Sequence, residues 1–309
     1  MTSLRVVEPG LFTTIQDLGR PHAMIHGIQA GGAMDRFAHR AANRLAGNDD
    51  AAATLECTVR GPVLEATAEC NVAIAGGDFQ PRVNGDAVPM WTSIRLAAGD
   101  RLDVGRRHAG ARAYVAVTGG FAGQRWLGSL STNVMVGRGG MEGRALAAGD
   151  AVQVAKQVTA SSAERTLAAE LRPDYSDHRM RVIEGPQFDT VGVESQELLF
   201  GSTFSVGHSS DRMGYRLDGS PLESTSEGLL SFVLVPGAVQ LPPGGRLILM
   251  MADHQTVGGY PVIVNLIGPS LSTAAQLAPG DELTFMRTTA DEAARMRAAQ
   301  RAALDSLIS

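Results

Sequence analysis

Leu96-Ala97-Ala98-Gly99-Asp100-Arg101-Leu102 decides the architecture, because its pattern occurs three times. It returns as Leu146-Ala147-Ala148-Gly149-Asp150-Ala151-Val152 and as Leu277-Ala278-Pro279-Gly280-Asp281-Glu282-Leu283. In each copy Gly-Asp supplies a tight turn. The residues after it alternate between polar and apolar, as a half-buried strand requires. Further strands are expected at 5–8, 54–59, 71–75, 111–117, 180–184, 229–235 and 246–251. Many short strands punctuated by 36 glycines argue for barrels or sandwiches. The expected fold class is mainly β: two β-rich, barrel-like subdomains with a few helices.

Helix signals are sparse. Apolar residues at helical spacing run over 34–45 and stop at Gly47-Asn48. A short helix is expected at 193–200. A longer one is expected at 290–308, with Asp291 and Glu292 in its first turn, where the helix dipole favours acids. Residues 157–178 are polar and alanine-rich and contain Ser161-Ser162. They read as a linker between an N-terminal subdomain, 1–156, and a C-terminal subdomain, 179–309.

Composition narrows the function. With 44% hydrophobic and 19% charged residues, the 309-residue chain can bury a core. No apolar run approaches the length of a membrane span, and Met1-Thr2-Ser3-Leu4-Arg5 has no signal-peptide layout. Cys57 and Cys70 show no metal-ligand spacing and read as buried thiols, so a cytoplasmic, reducing location is expected. The net charge of -5 gives no footprint for nucleic acid. Of 27 basic residues, Lys156 is the single lysine. GxxxxGK is absent, and with it a P-loop. No covalent biotin is expected on this chain, and any ATP is expected to be bound by, or shared with, partner chains.

Between two strand-like runs lies Ala252-Asp253-His254-Gln255-Thr256-Val257-Gly258-Gly259-Tyr260-Pro261. It is longer than a hairpin turn and brings together a carboxylate, an imidazole, an amide, a hydroxyl and a phenol. His254, with an unperturbed pKa near neutrality, and Asp253 and Asp211 are the candidate acids and bases. Candidate ligand contacts are Gln16, Asp17, Arg20, Asp35, Arg212, Gln240, Gln255, Thr256, Gly258, Gly259 and Tyr260. Arg212 is expected to grip a carboxylate through its planar fork, with Arg20 as a second grip. The Gly258-Gly259 amides are expected to face a developing oxyanion. Asp35 has a competing role as a helix cap, and Asp211 beside Arg212 reads equally as a structural pair. His22 and His26 do not make a metal site by spacing, and no metal is expected. The loops 16–20, 211–214 and 253–260 are expected to line one cleft.

The ordered set Thr14-Ile15-Gln16-Asp17-Leu18-Gly19-Arg20, Gly32-Ala33-Met34-Asp35, Ser210-Asp211-Arg212-Met213-Gly214, Gln240-Leu241-Pro242-Pro243-Gly244 and Gln255-Thr256-Val257-Gly258-Gly259-Tyr260-Pro261 resembles the KipA family. That family is also called the 5-oxoprolinase C subunit, allophanate hydrolase subunit 2, or the biotin-dependent carboxyltransferase A/B domain. Leu127-Gly128-Ser129, Ser131-Thr132 and Gln276-Leu277-Ala278-Pro279-Gly280-Asp281 match it as well. Gly32, Leu130, Val257 and Pro269-Ser270-Leu271 depart from its usual pattern. The resemblance implies cyclophilin-like barrels and a hydrolase component for a cyclic or linear amide, active only with partner chains. The implied activity is ATP-dependent opening of 5-oxoproline to glutamate. The implied partners are a KipI-like protein (the B type of 5-oxoprolinase subunit) and a LamB/YcsF-like protein (the A type). The alternatives are a carboxyltransferase component of the urea amidolyase kind and a non-catalytic regulator of a KipI-like protein.

Overall fold

The computed structural model describes residues 2–158, 164–225 and 229–307. The chain divides into two compact units. The first comprises Met1–Arg20, Gly31–Pro173 and Gln300–Ser309; the second comprises Pro21–Ala30 and Asp174–Ala299.

The first unit holds β1 (Ser3–Glu8), β2 (Phe12–Gln16), β3 (Thr54–Thr58), β4 (Val63–Ala66), β5 (Cys70–Asp78), β6 (Arg82–Val83), β7 (Asp86–Ala87), β8 (Ser93–Leu96), β9 (Arg101–Asp103), β10 (Ala109–Val117) and β11 (Ala151–Gln153). They form two antiparallel sheets, ordered β11-β1-β4-β9-β6-β7 and β2-β3-β10-β5-β8. Leu4, Val6, Leu64 and Leu102 of one sheet and Ile15, Leu55, Ile74 and Val115 of the other share one core. The helix α1 (Arg36–Leu45) covers β5 and β10 from the opposite side. This double cover explains why β5 and β10 are nearly continuous apolar runs without polar alternation. Asp35 starts α1: its Oδ1 accepts from the backbone N–H groups of Phe37 and Ala38, both at 3.1 Å. At the other end, Gly47 and Asn48 donate back to the carbonyls of Arg44 and Asn43 and close the helix.

The second unit holds β12 (Arg179–Glu184), α2 (Val193–Gly201), β13 (Phe204–Val206), β14 (Gly214–Asp218), β15 (Phe232–Val233), β16 (Ala238–Gln240), β17 (Ile248–Met250), β18 (Val257–Gly258), β19 (Val262–Leu266), α3 (Gly268–Ala274) and β20 (Glu282–Arg287). Seven of these strands close a barrel in the order β12-β19-β16-β17-β14-β13-β20. Closure comes from β12, which pairs antiparallel with β19 and parallel with β20. Tyr215, Leu217, Val239, Leu249, Leu283 and Phe285 are buried in it. A two-stranded ribbon, β15-β18, stands beside the barrel. The last helix, α4 (Ala290–Asp305), passes from the residues of the second unit into those of the first.

The three Gly-Asp turns share one geometry. Gly99, Gly149 and Gly280 have φ of 89°, 89° and 90°, the left-handed region that a residue with Cβ enters only with strain. In each turn the aspartate side chain accepts from the backbone N–H three residues back, at 2.7, 2.7 and 2.8 Å for Asp100, Asp150 and Asp281. The strands β9, β11 and β20 follow, as the alternation requires. The chain is thus mainly β, with the closed barrel in the second unit and paired sheets in the first.

Element bounds differ from expectation where local pattern is weak. The run 229–235 yields the two residues of β15, and α3 carried no helical periodicity, only the proline at its start. Residues 159–163 of the expected linker and residue 308 of the expected last helix lie outside the described residues. The neighbouring Arg165 and Leu167 exchange backbone hydrogen bonds with Ser93 and Trp91.

Candidate functional site

One face of the barrel wall builds a cleft of about 800 Å³. On β14 the side chains alternate: Tyr215 and Leu217 point into the core, so Arg216 and Asp218 point to the other face. Its neighbour β17 places Ile248 opposite Arg216, and β16 places Gln240 opposite Ile248. Arg216, Ile248 and Gln240 therefore stand in one row across three strands, on the same side of the sheet. All three line the cleft, together with Asp211, His208, Arg246, Gln255 and Tyr260.

Gln240 is fully buried. Its Nε2 donates to the Tyr260 carbonyl at 3.3 Å, and its Oε1 has no hydrogen-bond partner among the described residues. A buried acceptor left unmade costs roughly 1–3 kcal/mol, so this amide marks a place where a donor belongs. Asp218 faces Arg246 at 3.6 Å. The guanidinium of Arg216 has no hydrogen bond or ion pair among the described residues. Asp211 sits at the cleft wall, its Oδ1 accepting from the N–H groups of Met213 at 2.8 Å and Gly214 at 3.4 Å. This is a turn held by the aspartate's own side chain.

Arg212 is arranged otherwise than expected. Its Nε and a terminal nitrogen donate to the two oxygens of Asp253 at 2.8 and 3.1 Å. Both side chains are only 11% exposed. Neighbouring backbone bonds, Asp253 N–H to Arg212 carbonyl at 2.8 Å and Met251 N–H to Met213 carbonyl at 3.0 Å, stitch the same two segments. Gln29 adds a third tie, its Nε2 donating to the Asp253 carbonyl at 2.6 Å. The carboxylate that Arg212 holds is thus a protein carboxylate, and it is Asp253, not Asp211. The loops 211–214 and 253–260 do meet in this unit.

His254 lies inside the loop at 1% exposure. Its Nδ1 is 2.6 Å from the carbonyl of Gln255, which fixes the proton on Nδ1. Its Nε2 has no partner among the described residues. Burial lowers its pKa and keeps the ring neutral. It is not among the residues that line the cleft. Thr256 is buried, and its carbonyl accepts from the Leu234 N–H at 3.0 Å. Gly258 pairs with Phe232 in the β15-β18 ribbon, so its backbone is engaged there rather than held free for an oxyanion; Gly259 and Tyr260 are exposed.

The remaining expected contacts belong to the first unit, and all are buried. Asp17 is a clasp: Oδ1 accepts from the hydroxyls of Ser129 and Ser131, both at 2.6 Å, and Oδ2 from the Leu130 N–H at 2.6 Å. This gives the Leu127-Gly128-Ser129 and Ser131-Thr132 motifs their physical meaning. The Arg20 guanidinium lies 4.7 Å from the centre of the Trp126 ring and donates to the carbonyls of Trp126 and Ser131. Gln16 donates to Thr14 and to the Thr132 carbonyl. Asp35 caps α1. These residues are engaged within the first unit, while Gln16 Oε1 has no hydrogen-bond partner among the described residues.

Sequence reasoning passed over His208, Arg216, Asp218 and Arg246. The alternation of β14 was the available signal for Arg216 and Asp218. It also passed over Glu56, a carboxylate inside an apolar strand, which accepts from the Tyr114 hydroxyl at 2.8 Å and from the Met34 N–H at 2.9 Å. Burial pushes up the pKa of both thiols, Cys57 and Cys70, and Lys156 is exposed. No group of three or more potential metal ligands occurs among the described residues, and no helix among them is long and apolar enough to cross a membrane.

The chain is similar to known proteins in sequence and in fold. The chain is 36% identical to the 5-oxoprolinase C subunit of Escherichia coli over 98% of its own length and 97% of the relative's. It is 34% identical to the 5-oxoprolinase C subunit of Haemophilus influenzae, covering 95% and 94%. Its fold superposes on K. lactis urea amidolyase with a TM-score of 0.92 at 27% identity, over 99% of this chain but only 20% of that one. Residues 26–287 match the family model described as carboxyltransferase domain, subdomain A and B, and the chain belongs to that family.

Proposed function

We propose that this chain is the C-type subunit of an ATP-dependent 5-oxoprolinase, opening the lactam of 5-oxoproline to glutamate in a complex with a KipI-like and a LamB/YcsF-like protein. The observation that carries this reading is similarity to two bacterial C subunits over at least 94% of each chain. The cleft suits the task. It is polar and lined by barrel strands and the loops between them, and it offers a cation, an amide acceptor and a carboxylate to one ligand. Asp211 is the carboxylate placed to take a proton there, since Asp253 is held by Arg212 and His254 is buried.

The cleft is a poor cradle for a triphosphate. Arg246 faces Asp218, Arg216 is the remaining arginine, and Asp211 and Asp218 repel further negative charge. We therefore assign ATP to the partner chains. The test is reconstitution. The chain mixed with its KipI-like and LamB/YcsF-like partners should form glutamate from 5-oxoproline and ATP, and the chain alone should not. Turnover by the isolated chain would overturn the division of labour.

A second reading, carboxyl transfer to a urea-like acceptor, draws on the superposition with a fifth of urea amidolyase. It requires a biotinylated partner. Probing the proteins that co-purify with this chain for covalent biotin separates the two.

A further inference from the structure

We infer that Arg216 and Gln240, standing on either side of Ile248, form the recognition pair for a small monocarboxylate that also carries an amide N–H. The inference rests on the reading of this chain as a 5-oxoprolinase component for its choice of probe, though not for its geometry.

The row Arg216–Ile248–Gln240 is fixed by backbone register, which sets the three side chains on one face of the sheet. Neighbouring residues in an antiparallel pair lie roughly 4.5–5.5 Å apart at Cα. Arg216 and Gln240 are then separated by about 10 Å at the backbone. The side chains of Arg216 and Gln240 project from that face of the sheet on either side of Ile248. At the open end, the Arg216 guanidinium, without a hydrogen bond or ion pair among the described residues, is suited to bind a carboxylate through two parallel hydrogen bonds. Asp218, two residues on, faces Arg246 rather than Arg216. At the closed end, the Gln240 amide is oriented by the Tyr260 carbonyl, which takes its N–H and leaves Oε1 as an acceptor without a donor among the described residues. Exchanging the amide's oxygen and nitrogen would set two carbonyl oxygens against each other, so the orientation is fixed. Ile248, half-buried between the two, offers an apolar floor for the carbon skeleton. A cation, an apolar step and an acceptor in line describe a ligand with a carboxylate, a short hydrocarbon body and an N–H. A lactam acid has this form.

The experiment is calorimetric titration of the assembled complex without ATP, using 5-oxoproline, 2-pyrrolidone (the lactam without its carboxylate) and N-methyl-5-oxoproline. Arg216→Gln should weaken 5-oxoproline roughly ten- to a hundredfold and leave 2-pyrrolidone unchanged. The wild-type complex should prefer 5-oxoproline over its N-methyl analogue, and Gln240→Leu should erase that preference. Equal weakening of 5-oxoproline and 2-pyrrolidone by Arg216→Gln, or unchanged binding of 5-oxoproline, would overturn the pair. Glutamate release by the wild-type and Arg216→Gln complexes is measured alongside. Turnover without any Arg216 dependence sinks the pair and leaves the proposed function standing. Carboxylate-dependent binding without turnover does the reverse.

Discussion

Removing Asp253 should destabilise the protein more than it changes any ligand contact. Its carboxylate receives both arms of the Arg212 guanidinium at 2.8 and 3.1 Å, and each side chain is only 11% exposed. Deleting one member of such a pair leaves a charge in poorly solvated surroundings. The expected loss for Asp253→Ala is about 3 kcal/mol, at the low end for buried pairs because the loop borders a cleft. At roughly 2–4 °C per kcal/mol, that lowers the midpoint of thermal unfolding by about 6–12 °C. Arg212→Lys keeps the charge and loses the fork, and should cost about 1.5–3 kcal/mol. The sequence alone assigns that substitution to ligand binding, with stability untouched. The decisive assay is a double-mutant cycle by calorimetry with Arg212→Leu, Asp253→Leu and the double variant. The double variant removes both charges together, so it should be about 2 kcal/mol more stable than the sum of the single losses implies. Losses that add to within about 0.5 kcal/mol would refute the reasoning, because independent sites behave that way.

The other expectations are narrower. Gly258→Ala would put a Cβ 2.8 Å from the Gln240 Nε2 and 2.8 Å from Leu234 Cδ1; overpacking of about 1–3 kcal/mol and weaker ligand binding should appear together in thermal melts and titrations. Asp35→Ala should cost about 0.5–2 kcal/mol in urea unfolding, Asp35→Asn less, and neither should alter KM. Burial pushes the His39 pKa down to about 4 from 6.5. The unfolded chain then binds more protons between those values, so the contribution of His39 is full above pH 6.5 and is lost as pH falls toward 4, about 3 kcal/mol in all. Urea midpoints against pH should show this slope, and His39→Gln should flatten it.

What the sequence disclosed was local. The Gly-Asp turns could be read because a glycine φ and an aspartate bonding three residues back involve one tetrapeptide each. The start of α1 could be read because Asp35 and the N–H groups it accepts from lie within a single turn. The fate of Asp17 could not. Its partners Ser129 and Ser131 lie more than a hundred residues away and are brought to it by the packing of the first unit. The same holds for Glu56 and Tyr114, which meet only because β3 and β10 are neighbours. A polar residue inside an apolar strand announces a partner without naming it.

Arg212 and Arg216 are four residues apart, within one motif and its extension, and end with different tasks. Arg216 lies inside β14, where the phase is set by Tyr215 and Leu217 seeking the core; that places it on the opposite face, over the cleft. Arg212 precedes the strand. The turn held by Asp211 carries it out of the alternation and toward the loop after β17, where Asp253 waits 41 residues further along the chain. Charge is the same for both residues and could not rank them, and the motif, which ends at Gly214, pointed to Arg212. Strand phase could have singled out Arg216, but only once the start of β14 was known to within one residue, since a shift by one exchanges the two faces. Barrel closure supplies that residue-level phase, and with it the choice of which arginine remains available to a ligand.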